Sequence, residues 1–226
     1  MKNKDLFFMH KQIFFLFLSL FFVFCFSCSD SSPQISGIFK TLIYEFNSED
    51  EKANIRLSVF LTPSQDVRRS KSMEVTHHDS QFVWKINTPQ VYAHENKNYI
   101  GHSSLIVPED FIFPEGLFEV AYYDVADRKI TENINVTPLK SMMETEEGFV
   151  KASDVRSKKA GTECTQKKII ICDEIGKEIF FGFYSSKLDT NDKILKLFPD
   201  AVTKRIYYCN QNNSVGILLP TENIKN

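Results

Sequence analysis

Three groups of side chains in this 226-residue chain are of types that do chemistry. His77, His78 and Asp79 adjoin one another, and His94 and His102 add two imidazoles that a metal ion could use. Neighbouring residues on a strand point to opposite faces, so His77 and His78 could share a metal only from a turn. No fixed ligand spacing such as H-E-x-x-H accompanies them, and the expected setting is a solvated turn without metal. Glu109, Asp110 and Glu115 share a loop with Phe111 and Phe113, a grouping that an enzyme or a carbohydrate- or peptide-binding module could use. Loop carboxylates are ordinarily solvated, so no catalytic residue is assigned among them. Cys164, Cys172 and Cys209 remain. A nucleophilic cysteine needs a base, and residues 138–226 contain no histidine. The chain has no phosphate loop, no G-x-S-x-G elbow and no dinucleotide fingerprint, so no cofactor is expected.

A further cysteine, Cys28, ends a leader. Residues 1–12 carry three lysines and one acid, and an apolar run of 14 residues, 13–26, follows. A helix crossing a bilayer needs about 20 apolar residues, so the run is too short. It fits the core of a cleavable signal peptide behind a basic start. At its end, Cys25-Phe26-Ser27-Cys28 resembles the lipobox of bacterial lipoproteins in a relaxed form. Small Ser27 precedes the cysteine, while Cys25 and Phe26 stand where Leu and a small residue are usual. The resemblance implies cleavage between Ser27 and Cys28 and diacylation of the Cys28 sulfur, with a third chain possible on the new amino group. Two or three chains give stable anchoring where one does not. It also implies an address in the cell envelope, at the inner or outer membrane.

Removing residues 1–27 takes three of 27 bases and one of 29 acids, leaving a mature net charge of −4. Nucleic-acid binding calls for a basic face, so it is not expected. Residues 28–34 form the lipidated cysteine and a tether. The five residues 29–33 reach only about 17 Å when extended, which keeps any domain starting near Ile35 close to the lipid.

From Ile35 the pattern has period two. Ile38, Lys40, Leu42 and Tyr44 share one strand face, and Phe39, Thr41, Ile43 and Glu45 share the other. Ile55, Leu57, Val59 and Leu61 alternate with Arg56, Ser58 and Thr62. Further strands are expected over 72–76, 82–86, 102–107, 118–122 and 130–136. Seven short antiparallel strands over 35–137 suggest a β-sandwich. Residues 113–120, Phe-Pro-Glu-Gly-Leu-Phe-Glu-Val, resemble the start of strand F in immunoglobulin-like or fibronectin type III-like domains. Phe118 stands where Tyr is usual, and Trp84 is the candidate core indole. The Arg68-Arg69-Ser70-Lys71 stretch reads as a solvated loop, with anionic headgroups as its alternative contact.

Residues 138–167 read as a linker with a short strand near 148–152. Residues 168–226 suggest a small α+β unit of two hairpins, turning at 173–177 and 211–213, around a helix capped by Asp189 or Thr190 and stopped by Pro199. If both hairpins lie in one sheet, Cys172 and Cys209 are a candidate disulfide worth roughly 2–4 kcal/mol. The fold class is therefore mainly β. The expected function is a lipid-anchored envelope protein with a non-enzymatic binding, adhesion or structural role, its partners being the membrane and another envelope protein. The alternative is a periplasmic enzyme or carbohydrate- or peptide-binding module.

Overall fold

Period-two alternation turns into strand wherever one face can be buried. The computed structural model describes residues 33–64, 66–108, 111–143 and 148–225. Strands β1 (Ile35–Glu45), β2 (Asn54–Pro63), β3 (Ser70–His77) and β4 (Val83–Ile86) follow the alternation. So do β6 (Lys97–Ile106), β7 (Gly116–Asp124) and β8 (Lys129–Val136), although β6 begins five residues before His102. Between β4 and β6 lies β5 (Gln90–His94), an extra strand exposed at all five positions. Its hairpin to β6 turns at Glu95 and Asn96, both at positive φ (47° and 62°), as a tight turn matched to strand twist requires.

β1, β2, β6 and β5 lie side by side in one sheet, and β4, β3, β7 and β8 make the second. Leu42, Tyr44, Leu57, Val59, Leu61 and Ile100 line the inner face of the first. Met73, Val75, Phe118, Val120 and Tyr122, all fully buried, oppose them from the second. Each such side chain contributes about 1.5–3 kcal/mol by leaving water. Trp84 belongs to this core: its Nε1 donates to Ile106 O at 2.6 Å, and its ring stacks on Phe113 and Phe118. Phe118 is packed between Trp84 and His77. A different tyrosine makes the backbone bond. Tyr44 Oη accepts from Leu139 N at 2.8 Å, pinning the chain after β8 to β1.

The segment after β8 departs from the expected linker. It holds a 3₁₀ turn at Lys140–Met142 and a helix, α1 (Ala152–Arg156). The strand expected near 148–152 does not form, because Lys151 N donates to Asp154 Oδ2 at 3.1 Å and starts α1 instead. Both later hairpins are present, as β9 (Gln166–Cys172) with β10 (Glu178–Phe183), and β11 (Thr203–Cys209) with β12 (Val215–Leu218). α2 (Asn191–Leu197) lies between them, capped by Thr190, whose Oγ1 accepts from Lys193 N. A two-residue strand, β13 (Glu222–Asn223), pairs with β11.

These hairpins do not form a separate unit. β12 is buried at all four positions and needs a partner on each edge. β11 supplies one and β1 the other, in a parallel pairing that runs from Leu42–Val215 to Glu45–Leu218. The larger sheet therefore runs β10-β9-β11-β12-β1-β2-β6-β5, and Pro33–Asn226 cluster as one compact unit. Gly216 is required at the centre of β12, since a Cβ there would collide with the Tyr207 ring and hydroxyl. Among the described residues, no helix is long and apolar enough to cross a membrane.

Candidate partner-binding surface

Cross-strand partners in a sheet project from the same face. Phe39 faces Phe60, and Tyr99 faces Tyr92, which puts four rings on the outer side of the larger sheet. Phe39 and Tyr99 meet edge to face at 5.5 Å, Tyr99 lies 6.5 Å from Tyr92, and Tyr92 stacks on His94 at 6.3 Å. Phe39 is 54% exposed and Tyr92 is 61% exposed. At the far edge, Phe181 and Phe183 of β10 lie about equally close to the Lys168 amino group, at 5.5 and 5.4 Å. The outer face of the smaller sheet is different. It carries Glu74, Lys85, Glu119, Lys129 and Asn133 around one ring, Tyr123, and the aliphatic Val83 and Leu117, with Lys129 paired to Glu119 at 3.0 Å. Polar cover is the ordinary state of a solvated sheet face, and the aromatic outer face is the exception.

An ion cluster separates the two aromatic flanks. Glu45 on β1 accepts from Arg56 Nε of β2 at 2.8 Å and from Arg205 Nη1 of β11 at 2.6 Å. Arg205 also donates to Leu219 O and Phe46 O, and Arg56 to Ser103 O. Burial by itself would raise the Glu45 carboxyl, but the hydrogen bonds and charges of Arg205 and Arg56 outweigh it and hold the group below the usual carboxylate range. This cluster is a staple across four strands.

β5 completes the surface. Among the described residues it bonds to β6 alone, so its other edge presents unpaired backbone groups beside Tyr92. Natural edges are usually blunted by inward charge, bulges or proline, and none of these lies within Gln90–His94.

The chain matches no family model and no curated protein.

The candidates named from sequence are scattered. Ser27 and Cys28 lie outside the described residues, as do Glu109 and Asp110. Cys172 and Cys209 are not a disulfide pair: Cys172 faces Thr203 at one end of the β9–β11 ladder, and Cys209 faces Gln166 at the other. Six residues of strand put them about 20 Å apart, far beyond the reach of a bridge. His77 is not in a solvated turn. It continues the inward phase of Met73 and Val75, its Nε2 donates to Glu115 O at 2.9 Å, and its Nδ1 accepts from Ser80. His78 is exposed beside Asp79, His94 is on β5 and His102 on β6. Glu115 is exposed, Phe111 is 61% exposed and Phe113 is buried on Trp84. Cys164 borders a cavity of about 190 Å³ with Val155, Lys158 and Tyr208, and burial pushes its thiol up to about 12, which removes it as a nucleophile. Sequence reasoning did not single out β5 or the aromatic face. The available signal was phenylalanine in the polar phase of two strands, at Phe39 and Phe60.

Proposed function

We propose that this chain is a lipid-anchored protein of the bacterial cell envelope with a non-enzymatic binding role. Ser27-Cys28 behind a short apolar run supports the anchor. The open β5 edge, continuous with the Phe39, Tyr99 and Tyr92 rings, carries the binding role: an extended segment of an envelope protein adds as a further strand and seats its side chains on those rings. The division of β1, β2 and β6 from β4, β3, β7 and β8 supports the resemblance of residues 35–137 to fibronectin type III-like and immunoglobulin-like sandwiches. Such folds host many roles, so the reading rests on the edge and its rings.

The test compares the native chain with a V91K/Y92K variant, captured from detergent-solubilised envelopes. Lysine on an edge strand blocks strand addition without touching the core. The native chain is expected to retain a stoichiometric protein partner that the variant loses at an unchanged unfolding midpoint. A partner retained by the variant, or a sugar or peptide that raises the melting temperature in place of any protein, would overturn the proposal.

A further inference from the structure

Gly161 is where the loop between α1 and β9 touches the larger sheet. It takes a positive φ of 65°, and a Cβ there would strike Ile217 Cδ1 of β12. Backbone hydrogen bonds fix the loop on either side of this contact. Lys159 N and Ala160 N donate to Asp154 O at 2.8 and 3.3 Å, and Cys164 N donates to Gly161 O at 3.0 Å. Gly161 N itself donates to Ser141 Oγ at 3.2 Å. Held in this shape, the loop stands off Tyr208 of β11, and the space between them is the cavity of about 190 Å³ beside Cys164.

The lining divides by chemistry. Val155 and Ala160 are buried on one side, and Tyr208 closes the other. The Cys164 thiol stays neutral and counts as apolar. Lys158, Thr162 and Thr165 form an exposed rim. Charge around this rim is unbalanced. Arg156 is spent on Glu49 and Glu222, at 2.8 and 2.9 Å, and Lys204 shares Glu222 at 3.4 Å. The acids of the segment itself, Asp154 and Glu163, accept from Lys151 N and Ser141 Oγ. Among the described residues Lys158 has no acidic partner. Neither does Lys167, whose amino group lies 3.7 Å over the Tyr184 ring and 6.0 Å from the Tyr208 ring. Burial and then the charge of Arg156 lower the Lys167 amine, as befits a cation with no anion beside it.

From this arrangement we infer that the cavity is a binding site for a small organic carboxylate. The apolar body of the ligand lies between Val155, Ala160 and the Tyr208 ring, and its carboxylate meets Lys158 at the rim, in the positive field of Lys167. A dry cavity of roughly 150 Å³ holds a benzene ring, so a body of that size fits. Phosphate is a poorer match. It is ordinarily cradled by free backbone N–H groups, and those of Lys158, Lys159, Ala160, Gly161 and Cys164 are already donated within the chain. The site borders β11, three strands away from β1 on the side opposite β5, and requires neither the β5 edge nor a lipid on Cys28.

Amide chemical shifts of the full, isotopically labelled chain are followed during titration with benzoate and with benzamide, its neutral counterpart. Benzoate is expected to move the amides of 155–165 and of Tyr208 saturably, with a dissociation constant on the order of 1 mM for so small a probe. Benzamide is expected to bind about fivefold more weakly, the difference that an exposed ion pair makes. Lys158 sits at a positive φ of 59°, which asparagine tolerates, so K158N is expected to keep the fold and bring benzoate down to the benzamide value. T162W places a large ring on the rim and is expected to abolish binding of both probes. Equal affinity for benzoate and benzamide, no saturable shift at these residues, or undiminished benzoate binding by K158N or T162W would overturn the inference. The comparison of the two probes uses the native chain, so it decides the matter even where a variant fails to fold.

Discussion

Replacing Glu45 by alanine removes the staple that joins the C-terminal hairpins to the sandwich. The carboxylate accepts two charge-assisted hydrogen bonds, from Arg56 and Arg205, and the side chains involved are only 20–23% exposed. Such bonds contribute about 1.5–3 kcal/mol each, and the variant also leaves two guanidinium groups facing one another without their anion. Allowing for partial solvation, the expected loss is about 3 kcal/mol. With a urea dependence of roughly 2 kcal/mol/M for a domain of this size, the midpoint falls by about 1.5 M. Trp84 is the sole tryptophan and lies on β4 of the smaller sheet, so its fluorescence reports whether the loss is global. Far-UV circular dichroism is followed alongside, and both signals are expected to shift together. The pH dependence has a definite sign. Glu45 titrates lower folded than unfolded, so its contribution is complete above the unfolded carboxyl value and disappears as pH falls through the folded one. The native midpoint is thus expected to drop in that acid range more steeply than that of E45Q. A Trp84 transition unmoved by E45A would refute the argument, since the C-terminal hairpins would then be an independent unit.

Tyr44→Phe strips the acceptor from Leu139 N–H in a buried setting and is expected to cost about 1–3 kcal/mol in urea unfolding. Gly216→Ala drives a Cβ into the Tyr207 ring and is expected to cost about 1–3 kcal/mol, and G216A/Y207L should cost less than the sum of its single changes. Iodoacetamide at pH 8 is expected to label the partly exposed Cys172 in the folded chain and Cys164 only after unfolding, because a thiol raised to about 12 holds almost no thiolate. Peptide mapping without reductant should recover no Cys172–Cys209 bridge.

Seven strands of the sandwich were legible because each has one face in the core, so apolar and polar residues alternate. β5 gives no such pattern: it is exposed on both faces, and Glu95-Asn96 adopts the hairpin turn without the glycine that usually marks it. The helix after Thr190 was legible from its cap and from Pro199. The joining of β12 to β1 was not, since the partners lie over 170 residues apart and alternation says nothing about which strands neighbour each other. The cysteine error has the same origin. Phase tells which residues share a face, whereas separation along the ladder depends on register. His77 was readable in principle, because it continues the Met73–Val75 phase. Of the candidate surface, Phe39 was legible as the outer phase of β1, and its partners required the sheet order.

The proposed anchor at Cys28 underlies the proposed envelope address. Intact-mass measurement of the chain extracted from native membranes tests it most directly. The account predicts a polypeptide beginning at Cys28 and carrying two or three acyl chains. A chain recovered with residues 1–27 attached and no acyl mass would contradict it.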